Sequence, residues 1–248
     1  EPSGIQVVIP VMTSSAPLIE LRSLVRSGSL GGVVLMDVAQ GDEREAMLLD
    51  EEIPTVLIGS SGRAVGAPGV DTDFVQMAHA SVEHLAGLGH RRIIALMRET
   101  AYDDAHARQD QAHELLRAAG DLGVDVLVRQ VPELALACGD IVGADGLVEG
   151  CSAVISNNPA AVVGLACAAQ AHGLSIPADL SVLTLGVTEC RGRQGESFSE
   201  LSVDREAMGA AVGSLLLARL RGKPDPVERR TLMPAFLRDR GSTARFRS

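Results

Sequence analysis

Covalent catalysis needs a nucleophile, a base and an orienting group within reach of one another. The six histidines, His79, His84, His90, His106, His113 and His172, fall in no such constellation. His79 and Glu83 stand one helical turn apart, a spacing that a solvated helix face also produces. Neither H-E-x-x-H nor G-x-S-x-G occurs. Cys138, Cys151, Cys167 and Cys190 form no C-x-x-C pair, so they read as buried free thiols rather than a zinc knuckle or redox motif. Two glycine-rich stretches invite a phosphate reading and fail it. The loop from Gly59 to Gly69 lacks G-x-x-x-x-G-K-[ST]. Gly87-Leu88-Gly89 precedes a strand, whereas a dinucleotide fingerprint follows one. With no cofactor, metal or catalytic set indicated, the chemistry left is non-covalent recognition. Candidate ligand contacts readable from local composition are Tyr102 and Asp103 in a polar loop and Phe198 as a stacking face.

Those residues need elements to hold them, and the stretch from Val70 to Leu96 shows which kind. Phe74, Met77, Ala78, Ser81, Leu85 and Leu88 recur at helical spacing, so their side chains form one face turned to a core. Asp71 and Asp73 suit an N-cap or first turn, and Gly87 and Gly89 suit the stop. Ile93 to Leu96 is then a continuous apolar run, expected of a strand covered on both faces. The alternation repeats along the chain. Strands are expected at Ile5–Ile9, Val33–Met36, Ile53–Ile58, Val124–Val131, Ser152–Ser156, Thr231–Met233 and Ala235–Arg240. Helices are expected at Pro17–Arg26, Glu43–Glu51, from about Ala112 to a stop at Gly120, across Leu134–Val148, from Pro159 behind the Asn158 cap, and behind the Asp204 cap. Helices between buried strands give an α/β fold with parallel sheets.

With 248 residues the chain can form two lobes of about 120 residues each. The 22 basic and 32 acidic residues leave a net charge of −10. That argues against this stretch gripping nucleic acid by itself, since phosphate binding needs a basic footprint. No apolar run reaches the length of about 18 residues that a membrane span needs, and the opening EPSG lacks signal-peptide character. A cytoplasmic location is expected. One Tyr, four Phe and no Trp leave few rings for stacking on a sugar.

Several separated segments, in order, resemble the regulatory domain of lactose/galactose-repressor (LacI-type) transcription factors. They are VDTDF with HLAGLGHRRIIAL, LVRSGSLGGVVLMD, AVISNNPAAVVGLACAAQAHGLSIPADLSVLTLG, ELSVDREAMGAAVGSLLLARLRGKPDP, and the closing region with Arg238, Arg240, Ser242 and Thr243. The resemblance covers about residues 5–243. It implies a two-lobed, type I periplasmic-binding-protein-like fold, each lobe a parallel sheet flanked by helices, with an effector cleft between them. The expected division is 1–100 with 200–231 for the first lobe and 101–199 with 232–248 for the second.

In such a regulator a small molecule, sugar or sugar-like, changes the lobe angle of a homodimer. DNA is read by a headpiece outside this sequence, and no membrane is involved. The resemblance makes GIQVVIPV the second strand of the first lobe and leaves the first strand and helix outside the sequence; the alternative is that IQVVIP is itself the first strand. Arg108 falls on the family's effector-binding arginine, although the usual glycine after it is missing, and Asn158 falls on its cleft asparagine. Where the family carries a hydroxyl-binding aspartate this chain has Gly186, so Thr188 or Glu189 would have to substitute. A solute-binding protein of a sugar transporter is the second reading, since it shares the fold.

Overall fold

The computed structural model describes residues 6–9, 17–99, 106–132, 151–186 and 197–246, with residue 17 and residues 106–110 described by backbone alone. In chain order the elements are α1 (Pro17–Arg26), β1 (Val33–Leu35), α2 (Glu43–Asp50), β2 (Thr55–Ile58), β3 (Gly69–Thr72), α3 (Phe74–Gly87), β4 (Arg92–Arg98), α4 (His106–Leu122) and β5 (Asp125–Val131). They continue with β6 (Ala153–Ser156), α5 (Pro159–Ala171), β7 (Ser181–Leu185), β8 (Ser199–Val203), α6 (Arg205–Leu220), β9 (Arg230–Met233) and β10 (Ala235–Arg238). The strands form two sheets, β1-β2-β3-β9 and β10-β8-β7-β6-β4-β5. All pairings are parallel except that of β10 with β8.

The continuous apolar runs follow from helices on both faces of each sheet. In β4, Ile93, Ala95 and Met97 enter the core shared with Met77, Val82 and Leu85 of α3 and with Leu115 of α4. Ile94 and Leu96 point the other way, into the core that holds Val162 and Leu165 of α5. Successive strand side chains alternate between faces, so a strand covered twice must be apolar at every position. β6 repeats the pattern, with Ala153 and Ile155 on the first side and Val154 on the second. The first sheet is built likewise: Leu35 and Leu57 face Leu21 of α1 and Leu48 of α2, while Val56 and Val70 face Val212 of α6.

Among the described residues the chain passes between the sheets three times, from β3 to α3, from β8 to α6 and from β9 to β10. Gln76 of α3 ties two of these crossings together. Its Nε2 donates to Ala235 O (3.1 Å) and its Oε1 accepts from Ala235 N (2.8 Å). Beside it Asp73 N donates to Met233 O at 2.8 Å.

Three expectations differ from the structure. The strand expected at Ile5–Ile9 is not formed over residues 6–9; Val7, Val8 and Ile9 are 84%, 64% and 87% exposed. A β-forming composition becomes a strand only where a neighbour supplies the ladder, and among the described residues β1 pairs only with β2. The expected change of lobe at residue 100 is not where the sheets divide. The strands change sheet between residues 72 and 74, 203 and 205, and 233 and 235. The apolar face of α3 explains this, because it packs on α4 and the second sheet and so carries β4 with it. Finally, α4 runs past Gly120 to Leu122 and stops at Gly123, which takes φ +64°. The helix expected over 134–148 lies outside the described residues.

Candidate functional site

In open parallel sheets ligands bind beyond the carboxyl ends of the strands. In the second sheet those ends are Arg98 of β4, Ser156 of β6 and Leu185 of β7, with the first turns of α4 and α5 beside them. Asn157 is the residue that knits them. Its Oδ1 accepts from Arg98 N (2.8 Å) and its Nδ2 donates to Gln111 Oε1 (2.6 Å). Gln111 lies on α4 one helical turn after position 108, and residues three apart share a helix face. The bridge therefore fixes the opening of α4 over the ends of β4 and β6. It stations the backbone of Arg108 at that edge.

Asn158 is fully buried, at 0% exposure. Its Oδ1 accepts from Ala161 N as the N-cap of α5, and its Nδ2 donates to Val131 O and Pro132 O. Ser156 Oγ donates to Leu96 O and accepts from Asn158 N, closing the same knot. The amide is thus committed to the end of β5 and the start of α5, and a ligand would have to displace one of these bonds to reach it. Phe198 is 3% exposed and belongs to the core with Ile94, Leu96, Val162 and Leu165. Its ring is enclosed by protein rather than presented for stacking. Tyr102, Asp103, Thr188 and Glu189, like the side chain of Arg108, lie outside the described residues.

Gly186 ends β7 at φ +64°, a conformation that favours glycine. Its N–H donates to Leu201 O (2.8 Å), and its carbonyl accepts from Arg205 Nη2 (2.9 Å). Where the resemblance expects an acid, the structure places a backbone carbonyl held by an arginine from the first turn of α6. That contact joins the carboxyl edge of the second sheet to the helix that packs on the first. Asn157, Gln111 and Arg205 were not singled out from sequence. Their roles depend on which strands are neighbours, and nothing in their local spacing records it. Asn157 could have been suspected only as the neighbour of a recognised cap.

Among the described residues no group of three or more His, Cys, Asp or Glu side chains is arranged to hold a metal ion. Among them, too, no helix is long and apolar enough to cross a membrane.

Comparison with known proteins agrees with this geometry. Residues 82–243 match the family described as the periplasmic binding protein-like domain. The chain is 27% identical over 207 residues to the "uncharacterized HTH-type transcriptional regulator in aml 5′ region" of Streptomyces limosus, covering 79% of this chain and 58% of that protein. It therefore spans less than two thirds of that relative's length. Among solved structures it is similar to a LacI family transcriptional regulator from Bifidobacterium animalis subsp. lactis, with a TM-score of 0.80, 19% identity, and coverage of 94% of this chain and 85% of that one. It is also similar to a LacI family regulator from Enterococcus faecium with bound ribose, with a TM-score of 0.76, 18% identity, and coverage of 93% and 85%.

Proposed function

Because the chain belongs to the periplasmic binding protein-like domain family, we propose that it is the effector-sensing module of a LacI-type transcriptional regulator. A small polar molecule, sugar or sugar-like, binds between the two sheets and modulates DNA binding by a headpiece outside this sequence. The module works in the cytoplasm as a homodimer. The observation that carries this reading is the topology: two predominantly parallel sheets joined, among the described residues, by three crossings, two of them drawn together by Gln76 and Asp73. Such a joint lets the sheets change their angle while each keeps its own core. An effector moves that equilibrium only through its different affinities for the two arrangements.

Arg108 at the start of α4 is the principal ligand contact, with Tyr102, Asp103, Thr188 and Glu189 from the flanking loops. The loss of an acid at Gly186 removes one grip on a pair of sugar hydroxyls. Ribose in the Enterococcus regulator supports a sugar class for the effector. The transporter reading is not favoured, because the matching relatives are named as transcriptional regulators.

A thermal-shift screen of monosaccharides, sugar phosphates, nucleosides and small acids tests this. A ligand at 100 times its Kd adds about 2.7 kcal/mol to stability. A sugar hit that weakens in Arg108→Ala supports the proposal. A hit from an unrelated class that is indifferent to Arg108 overturns the sugar assignment and the site together.

A further inference from the structure

We propose that the glycine-rich loop after β2 and the start of β9 form an oxyanion site built from the first-sheet body alone. A cavity of about 80 Å³ lies there, and Gly59, Ser60, Ser61, Arg63, Arg229 and Arg230 are among its lining. A single water needs about 10–15 Å³ of such volume, so the space admits a group of several non-hydrogen atoms such as a phosphate. All of its lining residues lie in the β2–β3 segment or at 229–230, so the site needs nothing from the second sheet.

The three guanidiniums are anchored along part of their perimeter. Arg63 Nε lies 3.2 Å from Glu45 Oε2, and its Nη2 donates to Gly41 O and Asp42 O. Arg229 Nη1 donates to Gly66 O and lies 3.3 Å from Asp225 Oδ2. Arg230 Nη2 donates to Asp71 Oδ2 at 2.7 Å. Each guanidinium has five N–H donors. These bonds leave Arg63 Nη1, Arg229 Nε and Nη2, and Arg230 Nε and Nη1 without a protein acceptor among the described residues. Planar forks of this kind pair bidentately with tetrahedral oxyanions.

The loop is also held in shape before any ligand arrives. Buried Glu45 accepts from Ala67 N at 2.8 Å, and a Cβ on Gly66 would come within 2.6 Å of Glu45 Oε1. Gly59 and Gly62 take φ +114° and +70°, turning the backbone around the serines. Read locally, the loop fails as a phosphate cradle because it lacks the lysine-bearing spacing. The fold supplies the missing cations from residues far along the chain, since Gly66 and Arg229 are 163 positions apart.

The test is a titration with inorganic phosphate at constant ionic strength, with chloride as the balancing ion and melting temperature as the readout. A saturable rise is expected in the wild type. In Arg229→Gln and Arg230→Gln the apparent Kd should rise about tenfold or more. Arg230→Lys, which keeps the charge facing Asp71 and removes the fork, should give an intermediate loss and guards against a folding defect. Arg117→Gln, on α4 of the other body, should bind like the wild type. Glycerol 3-phosphate in a parallel arm separates the sources: tighter binding than inorganic phosphate assigns the site to a phosphomonoester, weaker binding to the free ion. No saturable rise, or equal affinity in the wild type and both glutamine variants, overturns the proposal.

Discussion

Adjacent asparagines at 157 and 158 separate holding the fold from shaping the site. Asn158 caps α5 and satisfies two carbonyls at the end of β5. Removing an N-cap costs about 1 kcal/mol, and because Val131 O keeps the Glu99 N–H as a donor the lost Nδ2 bonds add only about 0.5–1.5 kcal/mol, so Asn158→Ala should lose about 1.5–2.5 kcal/mol. Urea denaturation measures it, and a loss under about 0.5 kcal/mol would mean the knot is not formed. Asn158→Asp keeps the cap oxygen and sets a carboxylate against Val131 O and Pro132 O, so it should not rescue the alanine variant. Arg108→Ala, in contrast, should leave the unfolding midpoint unchanged. It should weaken effector binding about 10- to 100-fold, since a hydrogen bond to a charged group is worth about 1.5–3 kcal/mol. Isothermal titration with whichever ligand the thermal screen finds decides this, and unchanged affinity removes Arg108 from the site.

At the scale of elements, the clamp between α3 and the β9–β10 crossing is the least local feature of the fold. Gln76→Ala removes both bonds to Ala235 and should cost about 1–2 kcal/mol. The same variant should speed hydrogen exchange at the Ala235 amide while leaving β4 and β6 amides protected; unchanged exchange at Ala235 would show that the crossing is held by other contacts. Nothing in the sequence around Gln76 announces this role, because its partner is 159 residues away. The helix starts were legible for the opposite reason. Asp73, Asn158 and Asp204 each accept from a backbone N–H in the first turn of the helix they precede, which is a matter of three residues. The strands were legible wherever both faces are covered, as in β4 and β6. At Val7–Ile9 an equally apolar run stays exposed, because pairing depends on neighbours that local composition does not specify. The sheet boundary at residue 72 was missed in the same way: the helical face of α3 is plain in the sequence, and the sheet it packs on is not. Phe198 shows the limit for sites, since a lone aromatic beside a polar loop reads equally well as a platform or as core.

For the whole molecule, the last described residues act as a strap across the second body, and two histidines fasten it. His90 is buried; its Nδ1 lies 2.7 Å from Ser152 Oγ, its Nε2 lies 3.0 Å from Ala244 O, and its ring lies 5.9 Å from that of Phe246. His84 Nε2 lies 3.0 Å from Thr243 Oγ1. Burial pushes the pKa of His90 down, with the Ala244 carbonyl working against the shift and His84 adding to it. Burial lowers that of His84 as well, partly offset by the Asp239 carboxylate. Both rings are therefore held neutral more firmly in the folded chain than in the unfolded one, where histidine titrates near about 6.5. Below that value the unfolded state binds more protons, so stability rises with pH there. The contribution is complete above the unfolded pKa and is lost as pH falls through the lower folded values. Asp239, held low by the Gly241 N–H and the Ser199 hydroxyl, loses its own contribution only in a more acidic window. Urea midpoints taken from about pH 7.5 down to about pH 5.5 should accordingly fall, and the fall should be shallower in His90→Gln than in the wild type. The slope is the quantity to compare, because the substitution also disturbs packing against Phe246 at every pH. Equal slopes in the two proteins would mean that His90 is not held neutral by its burial, leaving the pH dependence of the strap to His84 at Thr243.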